Sequence, residues 1–316
     1  MLAILLLAAA PALAQKPAGA PAAAAKSEPA PAQLADWTKL IDANKCEAAR
    51  QLCNGYVNDP QIGQQVEAQK CLANVALCGH DVVTLQGTGN GGGLIAGGYT
   101  DDAVNESLAH LNAAMKLAPQ DLSIHEGRLH VLEVAMRYQA MVKALDESCS
   151  IYKGPYVPDA WLAYGPELEE VGQYQTAVEF MQVLNRHYPN NSDILGNIGA
   201  FLSMEGKGSE AIPYLQQAVK LAPSDPINTW DLGRAYDYAG QVKLADEWYQ
   251  TGLSLQTGKG QQAEEKCLYG QFVEQELHDR ARGCALEKQG CAAKEQTACA
   301  PAAPSTAHAP GAKGSS

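Results

Sequence analysis

The sequence predicts an all-α chain built from repeated helical hairpins, and three observations carry that prediction. One short pattern is written three times between residues 158 and 257 at a spacing of 34: Gly165, Gly199 and Gly233 fall in register, as do Gly172, Gly206 and Gly240, and Ala177, Ala211 and Ala245. Large apolar residues flank these small ones at helical spacing, with Tyr164, Ile198 and Leu232 before the first glycine and Leu168, Leu202 and Tyr236 three residues after it. Phenylalanine is scarce, at three residues, while alanine is plentiful, which suits close helix packing better than a β-sandwich core.

The N-terminal stretch Met1 to Ala14 is an apolar run ending in Ala12-Leu13-Ala14, which reads as a secretory signal peptide cleaved ahead of Gln15. The run is too short to span a bilayer as a helix. An Ala/Pro-rich linker is expected over 15–33. These features predict an exported protein, periplasmic or secreted.

Helical spacing begins at Leu34, Trp37, Leu40 and Ile41, and N-terminal helices are predicted over 34–80. Cys46 and Cys53 lie seven apart, as do Cys71 and Cys78, so each pair occupies one face of its helix. In an antiparallel hairpin facing residues have a constant sum of residue numbers, a condition met by Cys46 with Cys78 and Cys53 with Cys71. Pairing within one helix fails because about 10 Å separates the two positions. Twin disulfides are the expected outcome in an exported chain, with four small buried thiols or a metal site as the other readings.

A Gly-rich inserted loop is predicted over 81–100. Its Gly87, Gly89 and Gly92 fit a dinucleotide fingerprint only formally, because no strand and helix frame them. Leu94-Ile95-Ala96 is an apolar tip between glycines. Asp101 and Asp102 are read as the cap of the next helix, which Ala118-Pro119 closes. The span 101–157 is expected to be a degenerate version of the repeat, because the glycines are missing and Pro119 and Pro155 lie 36 apart.

Within 158–257 each block reads as two antiparallel helices, with Gly172, Gly206 and Gly240 ending the first helix in a left-handed turn. Gly199 and Ala211 are expected to face each other where the helices touch. In the third block the first helix runs from Ile227 to Ala239, and Trp230, Arg234 and Tyr238 recur every four residues on one face. A C-terminal capping helix or helix pair is predicted over 261–288, and a disordered tail over 289–316. Cys149, Cys267, Cys284, Cys291 and Cys299 are odd in number and have no assignable pairing, so one is free or links two chains; a dimer through Cys299 is one reading.

The formal net charge of -12 argues against nucleic-acid and anionic-membrane surfaces, which need clustered Lys and Arg. His125 and His130 sit five apart, about 140° round a helix, and so do not form the i, i+4 zinc pair of a metalloprotease. Glu167, Glu169 and Glu170 read as a solvated charge run. No catalytic set, metal site or small-molecule cofactor is predicted.

A 34-residue period with a large apolar residue before Gly, a central Ala and a terminal Pro (Pro189, Pro223) resembles the tetratricopeptide repeat (TPR), in its exported bacterial type. The resemblance implies a right-handed helical solenoid whose first helices line a concave groove. It places Asp159, Leu162, Glu169, Asn197, Ala200, Trp230, Arg234 and Tyr238 on that groove, with Asn197, Trp230, Arg234 and Tyr238 as the binding residues. Relatives that read a chaperone's C-terminal carboxylate use a Lys, Arg and Asn clamp. This chain has Asn197 and Arg234 without the lysines, which speaks against that activity. The function implied is a non-catalytic scaffold for protein partners in the cell envelope, as in outer-membrane biogenesis, pilus or gliding assemblies, with an envelope enzyme or a metal or redox accessory using the C-terminal cysteines as the alternative.

Overall fold

The computed structural model describes residues 34, 36–79, 83–84, 95–96, 99–291 and 299. The expected signal peptide, the linker, most of the Gly-rich loop and most of the tail lie outside the described residues. The described residues are helical, apart from a two-residue antiparallel pairing of β1 (Val83–Thr84) with β2 (Ile95–Ala96). They form two compact units, divided between Pro189 and Asn190.

The first unit holds α1 (Trp37–Asp42), α2 (Cys46–Asn54), α3 (Ile62–Leu77), α4 (Asp101–Leu117), α5 (Leu122–Val134), α6 (Tyr138–Ile151), α7 (Asp159–Glu170) and α8 (Tyr174–His187). Leu34, Trp37, Ala49 and Leu72 bury one core around α1 to α3, and Leu77, Val104, Leu111 and Ile124 bury another between α3, α4 and α5. Two disulfides tie α2 to α3: Cys46 to Cys78 at 2.01 Å and Cys53 to Cys71 at 1.88 Å. A helical end with so small a core gains about 2–4 kcal/mol from each such cross-link. The N-cap of α4 is Thr100, whose hydroxyl accepts from the Ala103 N–H; the aspartates expected in that role occupy the first turn instead.

The second unit holds α9 (Ser192–Met204), α10 (Gly208–Leu221), α11 (Pro226–Tyr238), α12 (Val242–Leu255), α13 (Lys259–Gln275) and α14 (Arg280–Gly290). First helices start on side-chain caps, Asn191 for α9 and Asp225 for α11, each accepting from two backbone N–H groups. The turns that close them share one backbone geometry. Gly206 donates to Ser203 and Lys207 to Leu202, as Gly240 donates to Asp237 and Gln241 to Tyr236, with φ of +74° and +70° at the glycines. That is the Schellman pattern. In the first unit Gly172 repeats it, and so do Asn44 and Met136, at φ of 55° and 56°. The hairpins α1–α2 and α5–α6 therefore keep the repeat's turn after losing its glycine, which is why the pattern fades in sequence before it fades in structure.

The close approach across the α9–α10 hairpin differs from expectation in detail. A Cβ on Gly199 would lie 2.3 Å from Leu215 Cγ, so the glycine accommodates Leu215, one turn beyond Ala211. The leucine fills the groove that the missing side chain leaves.

Candidate functional site

The face named from the sequence runs along α11. At 100° per residue Ile227, Asp231, Arg234 and Tyr238 fall within about 60° of one another. Tyr238 and Ile227 are 54% and 57% exposed. Trp230 is 8% exposed; its ring centroid lies 4.6 Å from that of Tyr249 on α12, and a Cβ on Gly252 would come within 2.9 Å of its backbone nitrogen. Trp230 therefore packs mainly within its own hairpin and offers a partner little surface. Arg234 is partly buried, and its guanidinium pairs with the Asp231 carboxylate at 2.8 Å. Asn197 is partly exposed on α9. Beside it, Gly196 is held small by the next hairpin, since a Cβ there would meet Asn228 Oδ1 at 1.9 Å.

Residues absent from the sequence-based set extend this face. Leu268 on α13 is 50% exposed and lies 34 residues beyond Arg234; Asp231 and Glu265 continue Asn197 at the same spacing. Translating the groove set by one more period would have found them. Burial raises the Glu265 pKa above the ordinary carboxylate range, Gln256 opposes this by donating to Oε1 at 3.1 Å, and the Asp231 and Glu264 charges raise it further. Asp237 is likewise raised by burial and by Glu276, against a lowering hydrogen bond from the Tyr249 hydroxyl. The face thus combines exposed apolar side chains with carboxylates that repel one another.

In the first unit Asp159 is exposed, and Leu162 and Glu169 are partly buried on α7. Glu167 is not a free surface charge. Burial, a shared hydrogen bond with Glu133 on α5 and the charges of Glu133 and Glu170 raise its pKa to about 7. The two glutamates lie 34 residues apart, equivalent positions of neighbouring hairpins. His125 is buried, with Nε2 donating to the Pro119 carbonyl at 2.9 Å, whereas His130 pairs with Glu133 at 3.1 Å. Burial lowers the His125 pKa. Among the described residues no group of three or more His, Cys, Asp or Glu side chains is arranged to hold a metal ion.

The cysteines left unpaired in the sequence reading resolve into Cys267–Cys291 and Cys284–Cys299. The α13–α14 hairpin that carries them is drawn tight by glycines: a Cβ on Gly290 would sit 2.0 Å from the Ala263 carbonyl oxygen, and one on Gly270 2.8 Å from that of Gly283. Cys149 remains as the unpaired cysteine, buried on α6, with its thiol pushed up to about 12 mainly by desolvation. Four disulfides in one chain belong to an oxidising, non-cytoplasmic compartment. Among the described residues no helix is long and apolar enough to cross a membrane.

No family model matches the chain, and no curated protein matches it by sequence. Solved structures do. The C-terminal part of a TPR repeat-containing protein from Cytophaga hutchinsonii superposes with a TM-score of 0.51 at 11% identity, covering 85% of this chain and 100% of that one. MamA from Desulfovibrio magneticus covers 52% of this chain and 93% of its own at 19% identity and a TM-score of 0.40. PilF from Pseudomonas aeruginosa covers 61% and 87% at 14% identity and a TM-score of 0.38. With its 34-residue period, its Schellman-closed hairpins and this likeness, the chain has the fold of the tetratricopeptide repeat proteins.

Proposed function

We propose that the chain is a non-catalytic protein–protein interaction scaffold of a bacterial cell envelope, periplasmic or secreted, that holds a protein partner on the first-helix face of its repeats. The observation that carries this reading is the exposure of Ile227, Tyr238 and Leu268 on the successive first helices α11 and α13. Large apolar side chains left exposed on adjoining first helices mark an interaction site more often than isolated ones do. The four disulfides support the compartment, as does the export segment read at Met1 to Ala14. Assemblies of the outer-membrane biogenesis, pilus or gliding type are the proposed setting. Affinity capture from envelope extracts tests the reading. Wild type should retain a partner that Ile227→Ala combined with Tyr238→Ala loses, and equal retention by both would contradict it.

A further inference from the structure

We infer that the partner segment held on the α11 and α13 face is cationic, with Lys or Arg side chains interleaved with apolar ones. The inference rests on the scaffold reading and specifies its ligand.

Charge on the face is one-sided. Helices α9 and α11 contain a single basic residue, Arg234, and its guanidinium is already paired with Asp231. The basic residues of α13 point elsewhere: at 100° per residue Lys259 and Lys266 lie about 160–180° round the helix from Leu268. Lys266 also packs toward α14, its Cβ 3.0 Å from where a Cβ on Gly290 would be. Glu264 and Glu265 therefore have no basic side chain on α9 or α11 left to neutralise them. Glu265 Oε2 is fully buried and accepts no hydrogen bond. Glu264 beside it is exposed, and a cationic side chain brought by a ligand can pair with that carboxylate.

The apolar part of the face selects the rest of the ligand. Ile227, Tyr238 and Leu268 together offer contact area that a bare polyamine could not use, whereas a peptide carrying both charge and aliphatic or aromatic side chains covers both features. An acidic C-terminal tail would meet repulsion from every uncompensated group there.

Fluorescence anisotropy of the full chain with three labelled dodecapeptides tests this: alternating Lys and Leu, alternating Glu and Leu, and alternating Lys and Ser. The Lys/Leu peptide should bind at least about tenfold more tightly than either other. Combined Glu264→Gln and Glu265→Gln should weaken it by about tenfold or more and flatten its salt dependence. Glu264→Gln alone, at an exposed position, should weaken it in the same direction and serves if the double variant melts early. Equal binding of the Glu/Leu peptide, unchanged binding by the variants, or no binding to wild type would each overturn the inference. Partner capture that Tyr238→Ala abolishes and the double variant leaves intact would keep the scaffold reading and overturn the cationic ligand alone.

Discussion

Gly208, the first residue of α10, lies against the backbone of Ala235 in α11: a Cβ on the glycine would sit 2.5 Å from the Ala235 carbonyl oxygen and 2.7 Å from the Ala239 nitrogen. One hairpin thus stacks on the next through an absent side chain. Gly208→Ala should destabilise by about 1–3 kcal/mol, because backbone rather than a flexible side chain has to move. Gly260, near the start of α13, has open space around its would-be Cβ. Gly260→Ala should stabilise by about 0.4–1 kcal/mol through the unfolded chain. Denaturant midpoints of the two variants, moving in opposite directions, check the pair.

Met136 occupies the left-handed position that Gly172, Gly206 and Gly240 occupy in the later hairpins. An L side chain there carries backbone strain of about 1 kcal/mol. Met136→Gly should therefore raise stability by about 0.5–1 kcal/mol, offset in part by the glycine's greater freedom when unfolded. Thermal melting against wild type measures it.

Much of this fold was legible in the sequence because the repeat writes its own constraints. Gly206 and Gly240 end α9 and α11 where the repeat puts them, and the spacing of Cys46, Cys53, Cys71 and Cys78 matches the two rungs between α2 and α3. The C-terminal disulfides were not legible, since Cys299 lies beyond the last helix and no helical register relates it to Cys284. Nor was the burial of Trp230, because periodicity assigns a residue to a face but does not say whether Tyr249 leans over it. The Glu133 and Glu167 pair could have been seen, for it carries the repeat's own 34-residue spacing.

The cysteine pattern predicts a definite chemistry. Without reductant, native protein should show no reactive thiol, and unfolding in denaturant should release one thiol per chain, that of Cys149. Mild reduction should open Cys46–Cys78 before Cys53–Cys71, because both sulfurs of the second bond lie in fully buried residues while the first pair is partly exposed. Timed alkylation with peptide mapping reads both results.

Glu167 gives the first unit a pH dependence. Its pKa rises from an ordinary 4.5 when unfolded to about 7 when folded. Between these values the folded state binds more protons, so this group's contribution is most favourable below about pH 4.5 and is lost as pH rises through about 7. Solvent screening of so exposed a carboxyl keeps the loss below about 2 kcal/mol. The buried His125 works in the opposite sense, its lowered pKa favouring the fold as pH rises through the histidine range. Glu167→Gln isolates the glutamate: its melting temperature relative to wild type should climb from pH 4.5 to pH 7 and level off above.

Photocrosslinking in intact envelopes decides whether the first-helix face of the second unit meets a protein partner. A benzophenone amino acid at Tyr238 on α11 is compared with one at Gln250, an exposed position on the second helix α12. A discrete protein adduct is expected from position 238 and none from position 250. Adducts from position 250 alone, or equally from both, would contradict it.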